Sequence, residues 1–204
     1  CLKLKGKMIL INHRVNSIKK LKSTPFNFGV EIDLRSEKNK IYLHHDPFKK
    51  GVSFEKWIKY YKHKIIVLNV KEEGLEKSIL KILKKYRINN FFFHDQTFST
   101  LLKNMSKTKV SVRYSEFEDL KNIKYLFKKI KWIWIDNFSG IKLEKKFYSY
   151  LKRKKVKICL VSPELVKKSR VSEVKKIILY FKKNNFTIDA VCTKKPDLWT
   201  SYNV

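Results

Sequence analysis

Short apolar runs alternate with longer segments of helical period along most of the chain. The runs are KMILINH, GVEIDL, HKIIVLNVK, NNFFFHD, KVSVRYS, KWIWIDNF, KICLVS and TIDAVC. They are rich in Val, Ile, Phe and Trp and too short for helices, so they predict buried strands. Between them, GLEKSILKILKKYR, SEFEDLKNIKYLFKK, LEKKFYSYLKRKK and SEVKKIILYFKKNN predict helices. Ile79, Ile82 and Leu83 share one helical face, and Ser115 and Ser172 are placed to cap the helices that follow them. Eight strands separated by helices predict an α/β fold with a parallel sheet. Eight is also the number that closes a (β/α)8 TIM barrel. The alternative is an open doubly wound sheet, but no glycine-rich phosphate loop follows any strand. One segment, KNKIYLHHDP, breaks the alternation as an extra extended run after strand two.

The 204 residues fit a single domain spanning 1–204, with short connections and no inserted lid domain. No linker, low-complexity tract or internal repeat interrupts the strand–helix unit. No apolar run reaches the ~18 residues of a membrane span. The opening CLKLKGKMILI lacks the pattern of a signal peptide, so a cytoplasmic chain is expected. The start at Cys1 leaves a lipoprotein or exported form open. Cys159 and Cys192 lie in apolar runs and read as core residues rather than a disulfide or metal set.

The formal net charge of +30 invites a nucleic-acid reading, a basic domain gripping phosphates. Yet the lysines are spread over nearly every helical segment, as solvated helix faces are. The chain's single alanine, five glycines and abundant Lys, Ile, Asn and Phe also match an AT-rich coding sequence. What the charge does imply is a preference for small anionic ligands.

In a barrel of this kind, chemistry gathers at the C-terminal ends of the strands. Here those ends carry His13 and Arg14, Glu31 and Asp33, Asn69 and Lys71, His94 and Asp95, Arg113 and Ser115, Asp136, and Glu164. Glu31 and Asp33 are two apart on one strand and point to the same side. A lone E-x-D usually marks a solvated face, but a parallel strand covered on both faces has none to offer. His94 reads either as pocket-lining or as facing the helices. His63, before strand three, reads as exposed. Arg113 and Lys71 have a plain alternative as partners of Glu116 or Asp136 in structural ion pairs. Trp134, like Trp132, Trp199 and Phe91 to Phe93, reads mainly as core, with a further possibility of reaching the pocket.

HR after strand one, EID on strand two and HHD soon after resemble the glycerophosphodiester phosphodiesterases, within the wider phospholipase-C-like phosphodiesterases. SVRYSEFE, WIWIDNF, VSPEL and CTKKPDLW resemble a compact bacterial branch of the group. The resemblance implies a (β/α)8 barrel and a metal-dependent hydrolase of glycerophosphodiesters or related head-group phosphodiesters. His13 and His45 would be general acid and base. Glu31 and Asp33 would bind Mg²⁺ or Ca²⁺, and Arg14, Lys71 and Arg113 would hold phosphate. His44 then stands outside the chemistry, while His94, Asp95, Asp136, Glu164 and Trp134 are further pocket candidates.

The pattern departs from the family in two places. Val15 replaces the glycine that follows His-Arg, and only Asn16 remains of the next motif. Asn69 stands where the family has a third metal-binding Glu, so the cation loses one charged ligand unless Asp95 or Asp136 completes the site. A catalytically weakened barrel that binds phosphate esters is therefore the alternative function.

Overall fold

The computed structural model describes residues 8–38, 40–118, 120–140 and 143–202. Cys1 and most of the opening segment lie outside them. The strands are β1 Ile9–Asn12, β2 Gly29–Glu37, β3 Lys40–Leu43, β4 Val52–Ser53, β5 Ile66–Val70, β6 Phe91–His94, β7 Ser111–Tyr114, β8 Trp132–Ile135, β9 Lys157–Val161 and β10 Ala190–Thr193. The helices are α1 Ile18–Ser23, α2 Phe54–Ile58, α3 Glu76–Lys85, α4 Phe98–Asn104, α5 Leu120–Lys124, α6 Lys145–Arg153, α7 Pro163–Val166 and α8 Glu173–Lys183. All eight runs expected as strands form strands, and β3 and β4 are additions to them. No helix among the described residues is long and apolar enough to cross a membrane.

The chain forms two compact units, Asn12–Val112 and Arg113–Val204 with the N-terminal segment to Ile11. In Asn12–Val112, β2, β5 and β6 run parallel. The first six residues of β2 are buried, which explains why its apolar positions are not separated by a solvated face. β3 folds back antiparallel on the far end of β2, Leu34 opposite Leu43, and β4 pairs antiparallel with β3. This hairpin is what the irregular KNKIYLHHDP segment builds. In the other unit, β8, β9 and β10 are parallel, and the Ile9 amide of β1 donates to the Asp189 carbonyl at 2.9 Å. Cys159 and Cys192 are buried there as core residues, Cys159 level with Trp134 on the neighbouring strand and Cys192 level with Val161.

α3, α6 and α8 form where helical spacing predicts them, with Ile79, Leu83, Phe147, Leu151, Ile177 and Phe181 turned into the core. Two caps differ from expectation. The Ser115 hydroxyl accepts from the Phe117 amide at 3.1 Å and donates to Glu118, closing a local turn. The α-helix in that region therefore starts only at Leu120, and its last turn tightens to a 3-10 helix at Tyr125–Lys128. Ser172 makes no capping bond, because a 3-10 turn over Lys168–Ser172 runs straight into α8. Ser17 and Thr97 are caps instead, accepting from the Lys20 and Thr100 amides.

Candidate active site

The centre of the site is a pair of fully buried carboxylates on β2, Glu31 and Asp33. Each is clasped by the turn that follows β1. The Arg14 amide donates to Glu31 Oε2 at 2.7 Å, and the Val15 amide to the Glu31 carbonyl at 2.8 Å. Asn16 grips Asp33 twice: its Nδ2 donates to Oδ2 at 2.8 Å, and its Oδ1 accepts the Asp33 amide at 3.0 Å. The turn can make these bonds because Arg14 adopts a left-handed conformation, φ +53°. That costs a non-glycine residue roughly 1 kcal/mol, which a bond to a buried carboxylate offsets. The left-handed position is thus Arg14, and Val15 is a wholly buried core residue.

His13 extends from the same turn, its Nε2 3.8 Å from Glu31 Oε2. Lys20 of α1 holds the turn from outside, its ammonium donating to the His13 carbonyl at 2.6 Å and the Arg14 carbonyl at 3.1 Å. Two cations flank Asp33: Arg14 Nε at 3.9 Å from Oδ2 and Lys71 Nζ at 3.6 Å from Oδ1. Lys71 also donates to Asp95 Oδ2 at 3.0 Å. Lys71 thus links Asp95 to Asp33.

Strand register decides the next layer. Asp33 lies level with Asn69, and Asn69 with His94, so the three point to one side. His94 is hence on the pocket-facing side of its strand, buried, its Nδ1 3.0 Å from the Ser111 hydroxyl, which donates to the Phe93 carbonyl. Asn69 Nδ2 donates to Glu31 Oε1 at 3.0 Å. Burial and the neighbouring Asp33 charge push the Glu31 carboxyl up to about 7, although the Arg14 amide, Asn69 and Lys71 pull the other way.

A hard divalent cation fits this donor set. Asp33 Oδ1 and Asn69 Oδ1 are buried oxygens without a hydrogen-bond partner, and buried acceptors left over in this way suit a ligand that accepts lone pairs. Among the described residues, no three His, Cys, Asp or Glu are grouped to hold a metal. The third protein oxygen would therefore be the uncharged amide of Asn69.

His45 follows β3. Its Nδ1 is 2.7 Å from Asp46 Oδ1, and its carbonyl takes two bonds from the Arg35 guanidinium, at 3.0 and 2.9 Å. The hydrogen bond to His45 draws the Asp46 carboxyl below its ordinary range. The ring's polar contact is with Asp46, not with Glu31 or Asp33. His44 turns to the backbone, its Nδ1 accepting the Asp46 amide at 3.0 Å.

Sequence reasoning passed over Arg35, which continues the alternation of Glu31 and Asp33 as E-x-D-x-R. Glu72 supports it at 3.5 Å while accepting from the Ser36 amide and hydroxyl. His63, expected to be exposed, is buried between the rings of Phe26 and Tyr61, and its Nε2 lies 3.0 Å from the Thr24 carbonyl.

The remaining candidates belong to the Arg113–Val204 unit. Arg113 Nε lies 3.0 Å from Asp136 Oδ2, the ion-pair alternative for this arginine, and Trp134 Nε1 donates to Asp136 Oδ1 at 3.2 Å. Glu164 is buried and accepts from the Ser162 and Thr193 hydroxyls and from the Lys194 amide. It ties the end of β9 to the end of β10.

These elements define an α/β barrel, the class of fold that eight parallel-type strands anticipate. The solved structures most like it include a glycerophosphodiester phosphodiesterase from Thermotoga maritima, with a TM-score of 0.74 and 18% identity over 95% of this chain and 97% of that one. Another is a phosphodiesterase from Oleispira antarctica in complex with the product sn-glycerol-3-phosphate, with a TM-score of 0.68 and 16% identity over 96% of each chain. A tryptophan synthase α-subunit from Pyrococcus furiosus follows at a TM-score of 0.55 and 12% identity, over 92% of this chain and 86% of that one. No protein-family model and no curated relative matches the chain.

Proposed function

We propose that the protein is a divalent-metal-dependent phosphodiesterase that hydrolyses glycerophosphodiesters and releases a glycerol phosphate. The observation that carries this reading is the buried Glu31–Asp33 pair, with the unpartnered oxygens Asp33 Oδ1 and Asn69 Oδ1 and with His13 beside it. The shared fold with phosphodiesterases, one of them holding sn-glycerol-3-phosphate, supports the substrate class.

Glu31, Asp33 and Asn69 would hold Mg²⁺ or Ca²⁺. When bound, the cation neutralises charge on the phosphoryl oxygens. Arg14 and Lys71 hold the phosphate from the flanks of Asp33. One imidazole of His13 and His45 accepts the proton of the substrate hydroxyl that attacks phosphorus, and the other returns a proton to the departing alkoxide. Water then opens the cyclic phosphate to give glycerol phosphate. Asp46 favours the proton on His45 Nδ1, which leaves Nε2 for exchange. Glycerol phosphate release should require Mg²⁺ or Ca²⁺ and vanish with a chelator. No release with either metal, or undiminished release after His13→Ala and His45→Ala together, would refute the assignment.

Asn69 favours a second reading, a barrel that binds phosphate esters but turns them over weakly. It brings no charge to the cation and donates one amide proton to Glu31. Asn69→Glu is then expected to raise divalent-ion affinity by calorimetry and to raise turnover. Turnover unchanged or lowered, with the metal bound more tightly, would remove the reason for this second reading.

A further inference from the structure

The loop carrying His45 ends in a tip, Pro47-Phe48-Lys49-Lys50, whose four residues are all exposed. Phe48 is fully exposed and sits in the left-handed backbone region, φ +59°. A bulky side chain there is strained, and its exposure adds a second cost. The base of the loop is firmly held: Arg35 grips the His45 carbonyl, Asp46 pairs with His45, and His44 accepts the Asp46 amide. The ring is thus displayed on a built loop, with two lysines directly after it.

We propose that this tip docks on an anionic lipid surface. Phe48 enters the acyl boundary, and Lys49 and Lys50 meet lipid phosphates. An apolar ring flanked by cations suits that interface, and the chain's net charge of +30 draws it towards such a surface. A single-stranded nucleic acid would instead call for successive stacking rings, and among the described residues no second ring lies against Phe48. The Arg113–Val204 unit also exposes rings, but beside the acids Glu116 and Glu118 rather than lysines, which does not suit an anionic surface. Phe117 and Phe138 are exposed with ring centroids 5.9 Å apart, and Glu116 and Arg170 hold the Phe138 backbone from both sides. Resting on the phosphodiesterase reading, the tip also names the substrate class: a phosphodiester presented at or drawn from a lipid surface, delivered beside His45.

Co-sedimentation with phosphatidylcholine vesicles, with and without phosphatidylglycerol, tests this on the full chain. The protein should bind only the anionic vesicles. Phe48→Ser should weaken binding roughly tenfold or more, Phe48→Leu should retain it, and Lys49→Glu with Lys50→Glu should abolish it. Hydrolysis of soluble glycerophosphocholine should be unchanged in Phe48→Ser. Vesicle binding that ignores Phe48 overturns the proposal. So does Phe48-dependent binding to a single-stranded oligonucleotide instead of vesicles, or a dimer in sedimentation that Phe48→Ser dissociates. Since docking is read without turnover, Phe48-dependent binding by a chain inactive on every phosphodiester would sink the enzyme reading and leave the docking surface standing.

Discussion

Glu31 concentrates the physics of the site in one side chain. Its carboxyl is raised from 4.5 to about 7 by burial and by Asp33. Below pH 4.5 both folded and unfolded chains hold the proton. Between 4.5 and about 7 the unfolded chain releases it while the native chain keeps it, so native stability falls as pH rises. Above about 7 the full cost is present. Glu31→Gln should therefore stabilise the metal-free protein at pH 8, by on the order of 3 kcal/mol, and flatten this part of its pH profile in thermal unfolding. The same change should abolish phosphodiester hydrolysis. An unchanged or lower melting temperature at pH 8 would mean that the carboxylate is not strained by its burial. His13→Ala should lower kcat by about 10²–10⁴, the usual worth of a positioned proton carrier, with little change in stability.

At the scale of elements, the β3–β4 hairpin is what brings His45 near strand two's far end. It depends on Gly51, where a Cβ would lie 2.1 Å from the Leu43 carbonyl oxygen. Backbone cannot yield as a flexible side chain would. Gly51→Ala is expected to cost about 1–3 kcal/mol in urea denaturation and to lower activity by shifting the loop after β3. Stability equal to that of the parent would show that the hairpin does not need its close approach. A second tie is Glu116. Burial alone would raise its carboxyl, but bonds from Ser139 and the Phe138 amide bring it down to about 2. That tie is present above pH 4.5 and lost as pH falls towards 2.

For the whole molecule, the +30 charge is a cost to compactness as well as an attraction for anions. The Debye length shrinks from about 30 Å at 0.01 M salt to about 8 Å at 0.15 M. The melting temperature should therefore rise over that range, and more steeply with phosphate than with chloride if phosphate also occupies the site. A melting temperature that falls with salt would mean that ion pairs such as Lys71 with Asp33 and Asp95 outweigh the repulsion.

Short continuous apolar runs and helical spacing were enough to locate the eight expected strands and the longer helices, because burial on both faces forces continuous apolar stretches at those places. The same pattern placed Glu31 and Asp33 on one side of a strand. What a one-dimensional pattern lacks is the path of the chain between elements. Arg14's left-handed turn, the double clasp of Asn16 on Asp33, Arg35's hold on the His45 carbonyl and the burial of His63 all join residues 17, 10 or 39 positions apart. Only the folded chain brings such partners together, since hydrogen bonding acts over ångströms of space and leaves no periodic trace in sequence.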